Sequence, residues 1–168
     1  MNMKTFWRRI SVELCCAPMT PALITAAVSL ILGSLVAVSG KGYGAFLPRT
    51  LFSVIYMGIF WGIFYAGIGF ALGCFLFSEN YHDHIHGEQT ALLFLCTLVL
   101  SYAWTAVVCK AGNCFLGLLI CFSIVTCLIT LFSALRARCL LPGIIVLSGC
   151  LWMIYVIYYT FSLMFFHL

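Results

Sequence analysis

The chain has 168 residues and a formal net charge of +4, with 65% hydrophobic and only 7% charged residues. An ordinary soluble domain carries roughly 25% charged residues, so a soluble fold of this length could not cover its surface. The basic residues form no stripe and no nucleic-acid motif, and we expect no nucleic acid partner.

The charges leave five uncharged runs, at residues 14–40, 50–78, 89–109, 111–135 and 139–168. Each exceeds the roughly 20 residues that a helix needs to cross about 30 Å of hydrocarbon. Charged side chains are costly at the bilayer centre, so this segregation indicates membrane spans. We therefore predict an all-α fold, an integral membrane bundle of five transmembrane helices. It forms a single domain over residues 1–168, with spans at about 18–38, 51–77, 90–109, 113–133 and 141–166.

The first span has an alternative interpretation as a cleaved signal peptide, because Lys4, Arg8 and Arg9 precede an apolar stretch. The apolar run at 22–38 is long for such a peptide and lies far from the N-terminus, which favours a retained span. The loop that follows, residues 39–50, contains three glycines and Pro48 and is predicted to be irregular. Tyr43 at its middle is either an interfacial tyrosine or a lid residue over a pocket.

The second span carries two ridges at helical spacing, one of aromatic and glycine residues and one of small residues: Trp61, Tyr65, Gly69 and Gly73, then Gly58, Gly62 and Ala66. Both ridges fall on one side of a helix. This side is predicted to form one wall of an intramembrane pocket. The alternative is ordinary helix packing, since GxxxG spacings are common in apolar segments.

The second loop contains His82, His84 and His86, with Asp83 between the first two. In an extended segment this spacing places three imidazoles on one face, and such a set could bind zinc, copper or nickel. A short histidine tract is more often solvated, so we predict no metal site and keep the three histidines as weak candidates.

The last three spans place polar and aromatic side chains at helical spacing. The third carries Ser101 and Trp104 on one face, within a ridge of hydroxyl residues, Thr97, Ser101 and Thr105. The fourth has a hydroxyl stripe that could bond to its own helix, at Ser123, Thr126, Thr130 and Ser133. The fifth has an aromatic face too deep for an interfacial belt, at Trp152, Tyr155, Val156 and Tyr159.

These residues give the chain a resemblance to the translocator protein / tryptophan-rich sensory protein (TspO) family. Three family patterns carry it: W-x-x-L-Y-x-x-x-G in the second helix, N-x-x-W in the third and P-Y-x-x-W-x-x-F-A-x-x-x-N in the fifth. The corresponding positions are Trp61, Phe64, Tyr65 and Gly69, then Ser101 and Trp104, with serine in place of asparagine, then Trp152, Tyr155 and Val156. The chain departs from the family at Ser148 and Gly149, which replace Pro-Tyr, and at Tyr159, which replaces asparagine.

The resemblance implies a homodimer in a bacterial cell membrane that binds tetrapyrroles such as haem or protoporphyrin, or sterols, in a sensing or transport-related role. Trp61, Tyr65, Trp104 and Trp152 would supply stacking faces, and Tyr43 would close the mouth. Tyr155 and Val156 would line the pocket, while Ser101 and Tyr159 would supply hydrogen bonds. No cofactor is obligatory, and porphyrin or haem is the expected ligand. Its carboxylates would reach Lys41 or Arg49.

The rival functions are an enzyme, a metal transporter and a structural or small-molecule transport subunit without tetrapyrrole binding. The sequence offers no catalytic triad or paired carboxylates, although the resemblance leaves porphyrin photodegradation open. It also offers no ionisable group within the spans for ion transport. The distribution of Lys and Arg between the loops favours a cytoplasmic N-terminus.

Overall fold

A computed structural model of the chain describes residues 19–39, 51–77, 87–136 and 139–166. These ranges contain five α-helices and no strand: α1 (Met19–Ser39), α2 (Leu51–Leu76), α3 (Gly87–Cys109), α4 (Cys114–Leu135) and α5 (Leu140–Phe166). All five are long and apolar enough to cross a membrane, which confirms the predicted all-α transmembrane bundle. Tyr43, Lys41, Arg49 and the three loop histidines lie outside the described residues.

The turn between α3 and α4 follows from its local chemistry. Gly112 has a φ of 64°, a left-handed conformation that glycine adopts without a steric penalty. The next residue, Asn113, caps α4, because its side-chain oxygen accepts a hydrogen bond of 2.9 Å from the Leu116 backbone N–H. This short turn makes α3 and α4 neighbours in the bundle.

The helices form a ring in the order α1, α2, α5, α4, α3. Contacts are most extensive between α1 and α2, between α4 and α5, and between α3 and α4. The pair α2 and α5 follows, and α3 completes the ring with fewer contacts to α1 and α2. This order brings the inward faces of α2, α3 and α5 towards one another, so residues distant in sequence share the interior.

Gly69 and Gly73 of α2 lie against α1, as the alternative interpretation of ordinary helix packing expected. A methyl group added at Gly69 would lie 2.7 Å from the Thr25 carbonyl oxygen, and one at Gly73 would lie 2.6 Å from the Ala22 Cα. Small residues permit this close approach of two helix backbones in lipid. Only the aromatic half of the ridge, Trp61 and Tyr65, faces the interior as predicted.

The outward faces are apolar, as expected for helices that contact lipid. Their exposed side chains include Leu23, Ile31, Ile63, Leu92, Phe115 and Leu151. The hydroxyl stripe of α4 is also exposed, and Ser123, Thr126 and Thr130 donate to carbonyl oxygens of their own helix. These hydroxyls are therefore satisfied without any partner helix or ligand.

Candidate ligand-binding site

Three tryptophans from three helices meet in the interior of the bundle. The ring centroids of Trp61 on α2 and Trp104 on α3 lie 5.0 Å apart, and those of Trp61 and Trp152 on α5 lie 6.0 Å apart with an edge-to-face geometry. Trp61 and Trp104 are buried, with 5% and 2% of their surface exposed, and Trp152 is half-buried. We call these residues, with Phe60, Phe64 and Tyr65, the aromatic cluster.

The remaining rings of the cluster all come from α2. Tyr65 stacks on Trp61 at 5.4 Å, and Phe64 meets the same indole edge-to-face at 5.4 Å. Phe60 stacks instead on Trp152 of α5, with ring centroids 5.2 Å apart. Aromatic pairs in these geometries contribute about 0.5–1.5 kcal/mol each beyond their buried area. The cluster therefore helps to hold α2, α3 and α5 together.

Four buried polar atoms make no close hydrogen bond to the described residues: the indole nitrogens of Trp61, Trp104 and Trp152, and the hydroxyl of Tyr159. The Trp104 nitrogen faces α4, where it lies 3.6 Å from the position of a Cβ at Gly117 and beside the Cys121 thiol. A buried polar group without a partner costs about 1–3 kcal/mol, and folded proteins rarely retain several together. The Trp61 and Trp152 nitrogens and the Tyr159 hydroxyl can therefore donate hydrogen bonds to a ligand that brings acceptor atoms to these positions.

The other hydroxyl groups at the site already have partners. Ser101 is fully buried and donates to the Thr97 carbonyl oxygen at 2.7 Å, so its proton is committed within α3. The Tyr65 hydroxyl lies 3.3 Å from the Ser101 carbonyl oxygen and 3.2 Å from the Thr105 hydroxyl. The backbone carbonyl of Ser101 anchors α2 to α3, and the expected hydrogen bond from Ser101 to a ligand stays a prediction.

The predicted α5 residues divide between the interior and the outer surface. Val156 is fully buried, in agreement with an inward position. Tyr155 is 50% exposed and stacks on Trp152 at 5.2 Å from the outer side. Tyr159 is half-buried and lies 6.5 Å from Tyr155, ring to ring. Tyr155 therefore supports Trp152 from outside and does not line the interior.

An open cleft of about 480 Å³ adjoins the cluster between α2 and α5. Its walls include Phe60, Ile63, Phe64, Ser148, Gly149 and Trp152. A smaller cavity of about 70 Å³ lies where α1, α2 and α3 meet, next to Trp61, Tyr65 and Thr105. The larger cleft is within the size range of small-molecule sites, about 300–1,000 Å³, whereas the smaller cavity is far below it.

Sequence reasoning missed Phe60 and Tyr102. Phe60 lies four residues before Phe64 but outside the ridge of Trp61 and Tyr65, and it packs against Trp152 of the distant α5. The Tyr102 hydroxyl donates to the Ser29 carbonyl oxygen at 3.0 Å and so ties α3 to α1. The spacing of residues within one helix could not reveal either contact, because Trp152 and Ser29 lie on other helices.

The described ranges contain no group of three or more His, Cys, Asp or Glu residues able to hold a metal ion. The histidine loop is outside these ranges, so its expected lack of a metal site stays a prediction. Cys74 and Cys121 are buried in the bundle as free thiols, consistent with packing as small apolar side chains.

The sequence model of one protein family, described as the TspO/MBR family, matches residues 21–166 of the chain. The match therefore includes all three tryptophans of the aromatic cluster and extends over nearly the whole bundle. A comparison with individual curated proteins finds no match.

Proposed function

The chain belongs to the TspO/MBR family, and we propose that its aromatic cluster binds a tetrapyrrole such as protoporphyrin or haem, or another flat hydrophobic ligand such as a sterol. The protein is a multi-pass integral membrane protein. Its proposed role is to sense or help to transport this ligand. The proposal does not include a chemical reaction catalysed by side chains of the protein.

The observation that supports the proposal is the convergence of three tryptophans in an apolar aromatic cluster. All three offer ring faces, and the indole N–H groups of Trp61 and Trp152 are also free to donate. A flat macrocycle has matching features, because its faces stack on aromatic rings and its polar atoms accept hydrogen bonds. A sterol would use the same apolar walls and place its hydroxyl near one of the donors.

Ligand binding at the centre of the cluster requires the rings to move apart. The centroids of Trp61 and Trp104 are 5.0 Å apart. A flat ring between two others needs about 7 Å, twice the carbon contact distance of about 3.5 Å. The packing seen here therefore corresponds to a closed cluster, and binding would exchange ring–ring contacts for ring–ligand contacts.

The experiment that tests the proposal is a titration of the protein in lipid nanodiscs with protoporphyrin and, separately, with haem. Tryptophan fluorescence reports binding, because a porphyrin close to the three indoles would quench most of the emission. Trp7 precedes the described helices and should be quenched least. Quenching no stronger than in empty nanodiscs mixed with the free indole would rule out the site.

We further propose that the protein is a homodimer in a bacterial cell membrane, as the family resemblance implies. Apolar exposed faces, such as that formed by Leu92, Leu95 and Val99 on α3, would suit contact with either lipid or a second copy. Chemical cross-linking in native membranes followed by mass measurement tests this. A strictly monomeric species at all protein-to-lipid ratios would contradict it.

A further inference from the structure

The cleft between α2 and α5 opens to the lipid side of the bundle. Its outer rim contains Phe60 and Ile63, which are 47% and 62% exposed, and Ser148, which is also exposed. No charged residue lines it, and the Ser148 hydroxyl donates to the Ile145 carbonyl oxygen of its own helix. The cleft can therefore hold apolar material without leaving a polar group of Ser148 unsatisfied.

The depth of the cleft places it within the hydrocarbon. On α5 it extends from Ile145 to Trp152, five to twelve residues beyond the helix start at Leu140. At 1.5 Å per residue this is about 8–18 Å along a helix that is about 40 Å long. The hydrocarbon core is about 30 Å thick, so a molecule in the cleft would come from the bilayer and not from water.

Two other seams of the bundle are closely packed at particular glycines. The α1–α2 seam leaves no space for a methyl group at Gly69 or Gly73, and one at Gly117 of α4 would collide with Val108 of α3. A methyl group at Gly67, in the α2–α5 cleft, would lie 3.3 Å from the flexible end of Ile145, so a small shift of that side chain would be needed. Of the two cavities described above, the cleft is the larger, about 480 Å³ against about 70 Å³.

Three side chains that line the cleft also belong to the aromatic cluster, Phe60, Phe64 and Trp152. Phe64 and Trp152 both contact Trp61, but Phe64 is buried whereas Trp152 is half-buried and so is less confined. Trp152 stacks on Phe60 at 5.2 Å at the cleft and meets Trp61 at 6.0 Å inside the bundle. Its indole nitrogen has no partner. Rotation of Trp152 would therefore break aromatic contacts but no hydrogen bond, and it would join the cleft to the cluster.

We propose that flat apolar ligands reach the aromatic cluster directly from the bilayer through the α2–α5 cleft, and that Trp152 is the side chain that moves to admit them. This inference rests on the proposed function, because it concerns the route to the same site. It also limits the ligand class to molecules that dissolve in lipid, since a polar solute would not reach the cleft.

The test compares binding rates of protoporphyrin after the cleft is filled. Ser148→Phe places a ring in the cleft from its exposed rim and leaves the cluster residues unchanged. The matched control is Leu147→Phe, on the neighbouring exposed residue that does not line the cleft. Stopped-flow mixing of donor vesicles carrying protoporphyrin with protein in nanodiscs gives the rate of tryptophan quenching, and transfer back to empty vesicles gives the dissociation rate.

If the cleft is the route, Ser148→Phe slows association and dissociation together, by about tenfold, a change well within the range over which such rates vary between variants. The dissociation constant then stays unchanged, because a blocked route raises the barrier equally from both sides. Leu147→Phe keeps both rates within about twofold of the original protein. Gly67→Leu, which fills the middle of the cleft, provides a second variant with the same expected result.

Three other results would contradict the proposals, and they separate a failure of the route from a failure of the proposed function. Unchanged rates in both Ser148→Phe and Gly67→Leu, with normal binding in the original protein, would overturn the route alone. Gly58→Leu changes a residue at the smaller cavity, where α1, α2 and α3 meet. If this variant slowed association and Gly67→Leu did not, the proposed route would also be overturned. Absence of quenching in the original protein would overturn the proposed function, and the route with it.

Discussion

Single residues of the aromatic cluster combine packing with unsatisfied hydrogen-bonding capacity. Trp61 and Trp104 lie in the core and contact each other, and the Trp61 indole nitrogen has no partner among the described residues. A phenylalanine would fill much of the same space without this cost. The proposed ligand would be positioned to accept a hydrogen bond from Trp61.

Replacing Trp152 with alanine is expected to weaken protoporphyrin binding five- to thirtyfold, since stacking worth about 1–2 kcal/mol is lost. The Soret absorbance of the porphyrin measures the dissociation constant without relying on tryptophan emission. Phe122→Ala is the matched control, because Phe122 is 56% exposed on the outer face of α4. Equal weakening by both variants would show that Trp152 has no special place in binding.

Phe94 lies on α3 ten residues before Trp104, but it is unsuitable as a second control. It is fully buried and packs against Phe75 at 6.1 Å between ring centroids. Truncating a buried phenylalanine to alanine costs about 3–5 kcal/mol of stability, so any loss of binding would be confounded by unfolding.

Replacing His82, His84 and His86 together with alanine is expected to leave protoporphyrin affinity within about twofold, or about 0.4 kcal/mol. The reason is that the loop lies outside the spans and joins the ends of α2 and α3 opposite the loop that contains Tyr43. The same titration as for Trp152→Ala measures it. A tenfold loss would identify a ligand or metal site in the loop.

The elements of the bundle are joined by different physical means on their different sides. α1 meets α2 through close backbone approach at Gly69 and Gly73, and it meets α3 through the hydroxyl of Tyr102. α2 meets α3 and α5 through aromatic rings and the Tyr65 hydroxyl. The α1–α2 contact at Gly69 and Gly73 is between backbones, so no change of side-chain rotamer can loosen it. The contacts between aromatic rings can rearrange when a side chain changes rotamer.

Gly69→Ala is therefore expected to destabilise the bundle by about 1–3 kcal/mol, the usual cost of overpacking. The added methyl group would lie 2.7 Å from the Thr25 carbonyl oxygen. Gly58→Ala is the control, because nothing lies within 4 Å of a methyl group there, and alanine favours a helix over glycine by about 0.5–1 kcal/mol. Thermal unfolding in one detergent compares them, and equal midpoints would contradict the close α1–α2 contact.

At the scale of the whole bundle, the described residues form a ring of five helices with their charged residues at the helix ends. In the described ranges the charges are Glu88 in the first turn of α3, Lys110 after α3 and Arg136 after α4. Each helix is therefore free of charge through its middle, and the fold presents an apolar belt to the lipid. A bundle of five spans places its two termini on opposite sides of the membrane.

Reporter fusions at Ala45, His84, Gly112 and Arg138 are expected to alternate between the two sides. The Lys and Arg residues favour a cytoplasmic N-terminus, so His84 and Arg138 should report the cytoplasmic side. Alkaline phosphatase and green fluorescent protein fusions measure this, because each is active on one side only. Two consecutive loops on the same side would contradict the five-span topology.

The sequence by itself determined the helices, because a helix in lipid must satisfy its backbone internally and needs an uncharged run of sufficient length. It also indicated Trp61, Trp104 and Trp152, since helical spacing reveals which residues share a face. Only the tertiary structure decided which helix each face meets. Gly69 and Gly73 receive α1, Tyr155 turns outward, and the Ser101 hydroxyl bonds within its own helix, because these outcomes depend on contacts between residues far apart in the chain.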